Sequence, residues 1–190
     1  MMRTETPRRG PGSRAGGNHP TRLELLDAAA TLAGSEGIDA LTVSAITTAS
    51  GHAKGTFYVH FYDRSELIVE LHRQFHDDLF AAIKQETSTL PPGRDRACAR
   101  IESFLDGCRA RPLVRAMLLE ARALPEILDL VDDRNTEAAT LLEDDLRTIT
   151  HHPRETAQLL VSATVEVARQ ELTKGRRLPR LRSALYELIA

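Results

Sequence analysis

The stretch Thr42 to Phe61, T-V-S-A-I-T-T-A-S-G-H-A-K-G-T-F-Y-V-H-F, constrains this chain more than any other. Thr42 is a good N-cap residue, and Val43, Ile46 and Ala49 follow it at helical spacing. Gly51 stands where that helix must stop and the chain must reverse, a position that favours a residue tolerant of positive φ. A second helix is predicted from about Ala53. Phe57 and Phe61 lie four apart on one side of it, and Lys54, Thr56, Tyr58 and His60 offer polar groups on the other. Two short helices joined by a tight turn, one side apolar and one polar, form a helix-turn-helix, whose second helix normally enters the DNA major groove.

At these residues the chain resembles the TetR family of bacterial transcriptional repressors, whose signature is close to T-V-x-x-I-A-x-x-A-G-V-S-K-G-T-x-Y-x-H-F. Thr42, Val43, Ile46, Gly51, Lys54, Gly55, Thr56, Tyr58, His60 and Phe61 match it. Arg64 stands where the family usually has lysine. Ala53 replaces the usual serine and so lacks a hydroxyl that caps the recognition helix or bonds a phosphate. His52 replaces a small apolar turn residue, and Thr47 and Ser50 each replace an alanine. The motif covers the first third of the chain, and the rest is compatible with the family's divergent ligand domain.

The remaining pattern is helical throughout. Leu25, Leu26, Ala29, Leu32 and Ala33 give a first helix an apolar face; Thr21 to Glu24 reads as the capping box that opens it, and Gly34 and Gly37 as its end. Asp63 and Glu66 form a second capping pair, starting a long helix with the stripe Leu67, Ile68, Leu71, Phe75, Leu79 and Ile83. Pro91-Pro92-Gly93 breaks that pattern. A helix then runs from about Arg94 to Arg109, with Cys98, Ile101, Phe104, Leu105 and Cys108 along one face. Pro112 opens a short apolar helix, Pro125 a longer one, and Pro153 one with two apolar faces, which needs partners on both. A last helix follows Gly175 and Pro179. No strand-like alternation longer than a few residues occurs, so the fold expected is all-α. A disordered basic arm (1–20) precedes a three-helix DNA-binding domain (21–65) and a helical ligand-binding and dimerisation domain (66–190).

Composition narrows the partners. A net charge of −2 excludes an extended polyanion-binding surface, although Arg3, Arg8, Arg9 and Arg14 make the first twenty residues basic. Two cysteines are too few for a disulfide framework, and both read as small core residues. There is no apolar run of roughly 18 residues and no secretory leader, so a cytoplasmic protein with no membrane partner is expected.

The resemblance implies a homodimer on double-stranded operator DNA, most often a repressor released by a small molecule, with the last two helices pairing across a two-fold. The residues expected at the DNA are Thr42, Ala53, Lys54, Gly55, Thr56, Tyr58, His60 and Arg64. Tyr58 and His60 are expected to reach phosphates with their tips while their rings pack on the domain. Phe75, Phe104, Met117, Leu118 and Leu142 are the expected lining of an effector cavity. Low aromatic content past Phe104 favours an aliphatic pocket, for acyl or alicyclic ligands, over a cage for flat cations. His72 and His76 lie four apart, a spacing that holds a metal, but no H-E-x-x-H and no third ligand accompanies them. With no G-x-S-x-G, G-x-G-x-x-G or phosphate loop either, no enzyme, cofactor or metal is expected. The alternative is a helical dimerisation or adaptor protein with a weakened DNA-binding module.

Overall fold

A proline fixes where the first helix begins. Pro20 takes the first turn of α1 (Pro20–Glu36), where its missing N–H costs nothing and its φ is already helical. The capping box expected at Thr21 is therefore not formed: His19 holds the N-cap position without a side-chain bond, and Thr21 lies inside the helix. The computed structural model describes residues 19–111 and 125–189. Residues 1–18 of the expected basic arm (1–20) and the helix expected after Pro112, with Met117 and Leu118, lie outside them.

Gly37, at φ 88°, ends α1 and leads through a single 3-10 turn (Ile38–Ala40) into α2 (Val43–Ser50). Gly51 (φ 72°) closes α2 in the left-handed region; its N–H bonds Thr48 and the His52 N–H bonds the Thr47 carbonyl. Next come α3 (Lys54–His60) and α4 (Arg64–Glu86). The α4 capping pair forms as the sequence indicates: Asp63 accepts the Glu66 N–H at 2.9 Å, and the Glu66 carboxylate accepts the N–H of Tyr62.

The chain divides into two compact units between Leu71 and His72, inside α4 rather than at its start. The reason is burial. Leu67, Ile68 and Leu71 are buried outside the C-terminal hydrophobic cluster, whose first member on α4 is Phe75. The first unit therefore needs two turns of α4 to close over Leu25, Leu26, Leu41, Ile46, Phe57 and Phe61, all buried.

The second unit is built from the rest of α4 with α5 (Arg94–Ala110), α6 (Pro125–Leu146), α7 (Pro153–Lys174) and α8 (Pro179–Glu187). All regular elements among the described residues are helical. Both thiols belong to this core: Cys108 is fully buried and Cys98 half-buried, and burial pushes both pKa values up. On α6 the helical phase buries Ile127 and leaves Leu128 exposed.

Beside the apolar core lie two buried ion-pair knots. Glu171 on α7, wholly buried, takes Arg182 of α8 in a two-pronged grip at 2.8 and 2.6 Å and also accepts the Leu178 N–H. Arg182 reaches on to Asp106 of α5 at 2.7 Å, so one guanidinium joins three helices. Asp145 of α6, also wholly buried, accepts from Arg96 and Arg100 of α5. Burial alone would raise the Glu171 pKa, but the Arg182 guanidinium and the Leu178 N–H hold it below the ordinary range. That stabilisation is complete above the unfolded value of about 4.3 and is lost as pH falls through the lower folded value. Arg182→Ala strands a buried carboxylate and is expected to cost about 3–5 kcal/mol in urea unfolding. The double replacement Glu171→Leu with Arg182→Met is expected to cost less than Arg182→Ala alone.

Candidate functional site

α3 has seven residues, too few to hold a helix in isolation, so packing must hold it. Phe57 and Phe61 supply that packing, both at 0% exposure with ring centroids 5.5 Å apart. Arg22 of α1 lies 4.8 Å over the Phe61 ring and pairs with Glu70 at 3.4 Å. Thr47, buried between the helices, turns its hydroxyl back to the Val43 carbonyl at 2.8 Å, so the departure from alanine leaves no unpaired hydroxyl donor. His52, in the turn, contacts Glu24 of α1 at 2.7 Å.

With Phe57 and Phe61 turned inward, helical geometry decides what faces out. Ala53, Lys54, Gly55 and Tyr58 are exposed and Thr56 is half-buried. Thr42 is exposed, and its hydroxyl oxygen accepts the Ala45 N–H at 3.1 Å as the N-cap of α2. Ala53 occupies the N-cap of α3 with no side-chain bond, so the first N–H groups of that helix lack the cap a serine supplies. A Cβ built on Gly55 meets nothing within 4 Å. The fold itself has no need of a glycine there, and the surface above it is left low.

Two expected DNA contacts sit differently from the expectation. His60 is only 5% exposed; its ring lies 4.8 Å from that of His19, and its Nδ1 is buried without a hydrogen-bond partner. The body of the ring is core, as expected, but the tip is not presented to solvent as a phosphate contact requires. Arg64 is not extended toward solvent either. Its Nε donates to the Leu41 carbonyl at 2.7 Å and one Nη to the Ile38 carbonyl at 2.6 Å, strapping the α1–α2 connection to the start of α4. Those carbonyls lie at the ends of a 3-10 turn, where helical partners run out, and a first-turn arginine of α4 is within reach. Periodicity did not single out Val59 and Tyr62, which are 45% and 55% exposed beside Tyr58. They add apolar and aromatic surface of the kind that meets thymine methyls and sugar edges.

In the second unit, α4 to α7 line a cavity of about 60 Å³. Phe104 and Leu142 are on its wall, while Phe75 is not and lies edge-on to His76 at 4.9 Å. Most of the wall is aliphatic or aromatic. Its polar members are His72, His76, Arg100, Arg134, Asn135 and Thr164. The two imidazoles, at 1% and 7% exposure, lie with centroids 4.5 Å apart and planes tilted by 33°. Among the described residues no group of three or more His, Cys, Asp or Glu side chains is placed to hold a metal, and no helix is long and apolar enough to cross a membrane.

Residues 25–71 match the family of bacterial regulatory proteins, tetR family. Over 75 residues the chain is 39% identical to the HTH-type transcriptional repressor KstR2 of Rhodococcus jostii strain RHA1, a match spanning 40% of this chain and 37% of that protein's length. The fold is similar to that of the fatty acid degradation regulator FadR from Bacillus halodurans, with a TM-score of 0.75 and 19% identity over 90% of this chain and 94% of that one. It is also similar to FadR from Bacillus subtilis, solved in complex with stearoyl-CoA, with a TM-score of 0.74 and 16% identity over 88% and 96% of the two chains.

Burial lowers the His60 pKa, and the nearby His19, Arg22 and His52 lower it further. The unfolded chain takes a proton near its ordinary value of about 6.5 that the folded ring refuses, so stability falls as pH drops from there through the lower folded value. His60→Gln is expected to shrink the difference in melting temperature between about pH 7 and about pH 5.5.

Proposed function

Because residues 25–71 match the tetR family of bacterial regulatory proteins, we propose that the chain is a ligand-responsive transcriptional repressor. On this reading it binds a palindromic operator as a homodimer and lets go when a small molecule enters the helical domain. The observation that carries the reading is the outward face of α3, where Lys54, Tyr58 and Val59 stand exposed around Gly55 on a helix anchored from behind by Phe57 and Phe61.

Lys54 and Thr56 are placed for base edges or adjacent phosphates, Tyr58 for a phosphate through its hydroxyl, and Val59 for a thymine methyl. Thr42 holds the start of α2 in shape. His60 and Arg64 act from behind, the one as packing and the other as a strap. Ala53 leaves the first turn of α3 without a side-chain competitor for its N–H groups.

A palindrome requires two such heads, roughly 34–36 Å apart or at a multiple of that spacing. The outer face of α7 supports pairing with a second copy: Leu159 is 72% exposed beside small Ser162, and on α8 Ser183 and Ala184 are exposed next to Leu188. Small residues around exposed leucines let helices approach closely across a two-fold. Release follows from the cavity. One continuous helix, α4, supplies Arg64 and Leu67 to the first unit and His72, His76 and Phe80 to the cavity wall. A ligand that parts that wall acts on the helix that closes the reading domain. The stearoyl-CoA held by the Bacillus subtilis regulator supports a ligand-binding role for this fold. The side chains identified here bind and orient; none of them forms a nucleophile–base pair, and the reading is a cytoplasmic regulator rather than an enzyme.

Fluorescence anisotropy with DNA flanking the protein's own gene tests the proposal. Binding is expected to fall steeply with salt, and Lys54→Ala to flatten the plot of log K against log salt by about one per half-site. Failure to bind any such fragment, with Lys54→Ala leaving general DNA affinity unchanged, would favour the adaptor reading. Gly55→Ala separates fold from function. It is expected to leave the melting temperature unchanged or raised, by up to about 1 kcal/mol of helix propensity, while weakening operator binding. Equal operator affinity for Gly55→Ala and the parent chain rules out close approach at that position.

A further inference from the structure

Resting on the reading of the helical domain as an effector site, we infer that its cavity takes a neutral, mainly aliphatic or alicyclic compound bearing one hydrogen-bond-accepting oxygen, rather than a carboxylate. Arg134 is a member of the cavity wall. Two of its nitrogens are committed away from the cavity: one Nη donates to Glu137 at 2.8 Å and the other to Asp77 at 2.5 Å. Its Nε is buried and has no hydrogen-bond partner in the protein. A buried N–H left unpaired in a folded protein calls for an explanation, and an acceptor supplied from the cavity is the direct one.

The surroundings decide what kind of acceptor. A lone arginine in an apolar cavity attracts carboxylates, but this one is not alone. Arg134 sits between the carboxylates of Asp77 and Glu137, and Lys84 approaches Glu137 at 3.6 Å, so two cations meet two anions. The other cationic corner is balanced in the same way: Arg100 and Arg96 face Asp145 and Asp144. A carboxylate entering the cavity finds both guanidinium groups of its wall already paired with carboxylates and gives up its hydration, a loss that only a matched cation repays. A ketone, ether or ester oxygen accepts one N–H without bringing a charge. Thr164 adds to the selection. Its hydroxyl proton is committed to the Leu160 carbonyl at 2.7 Å, so toward the cavity it offers lone pairs only. The remaining wall, with Phe80, Phe104, Leu141, Leu142, Val161 and Val165, suits a hydrocarbon body.

At about 60 Å³ the cavity is well under half the roughly 150 Å³ that holds a benzene ring. An occupant of this class therefore needs the helices to part around it. Binding and widening are then one event.

Calorimetry and thermal shift on the full chain, with 2-undecanone and cyclododecanone as probes against undecanoate, test the inference. Both ketones are expected to bind and raise the melting temperature, with at least tenfold preference over undecanoate. Arg134→Lys, which keeps the charge and removes Nε, is expected to weaken the ketones at least fivefold. Asp77→Asn, at a half-exposed position, unbalances the charge and is expected to narrow the ketone-to-carboxylate ratio at least threefold. That second variant decides the matter should Arg134→Lys fail to fold. Undecanoate binding as tightly as the ketones, no ketone binding at all, or a ratio indifferent to Asp77→Asn each overturn the assignment. Operator binding is followed in parallel: an operator complex that forms in the absence of any ketone effect sinks only the ligand class. Ketone binding that leaves the operator complex intact sinks release by these ligands and leaves the cavity assignment standing.

Discussion

A helix of seven residues has no stability of its own, and everything proposed for the first unit depends on what holds α3 in place. Phe57 and Phe61 are one helical turn apart, so burying both selects a single rotational setting for the helix. Once that setting is chosen, Lys54, Tyr58 and Val59 have nowhere to point but outward, and His60 nowhere but inward. The left-handed Gly51 sets the angle at which α3 leaves α2, and Arg22, over the Phe61 ring and paired with Glu70, braces it from behind. The exposed face of α3 is thus a consequence of core packing, not of any property of the exposed residues themselves.

The second unit relies on a different device. Its apolar core is ordinary in composition, but three helices meet at Arg182 and two at Asp145, each with charges taken fully out of water. Such knots add little net stability over a hydrophobic replacement, yet a misregistered helix would strand a buried charge. They also consume the charges nearest the cavity. Arg100 is both a wall residue and a partner of Asp145, and Arg134 is both a wall residue and a partner of Asp77 and Glu137. The chemistry left to the cavity is what those pairings do not use.

How much of this was legible beforehand differs by residue. Thr42 as N-cap, Gly51 as the left-handed stop, Asp63 with Glu66 at the start of α4 and the stripe from Leu67 to Ile83 were all readable, because each is a local rule with a short sequence span. The capping box indicated at Thr21 does not form because Pro20 opens the helix one residue earlier. His60 matches the short motif and Arg64 stands at its basic position, but their neighbours in space are Ile38, Leu41 and His19, between 23 and 41 positions away in sequence. Phe104 and Leu142 were recognisable as apolar residues at helical spacing. Nothing in that spacing distinguishes them from Phe75, which is not on the cavity wall.

What the sequence determined by itself was the set of helices, their caps and stops, and the short motif that marks the reading head. These follow from interactions between residues three or four positions apart, which are written directly in the order of the chain. Only the tertiary structure decided which polar groups remain available. Whether Arg134 is a spare cation or a neutralised one depends on Asp77, 57 residues away, and whether Arg64 reaches outward depends on two carbonyls of another element. Charge compensation and hydrogen-bond satisfaction act over a few ångströms of space without regard to sequence separation, so they are settled only when the helices pack.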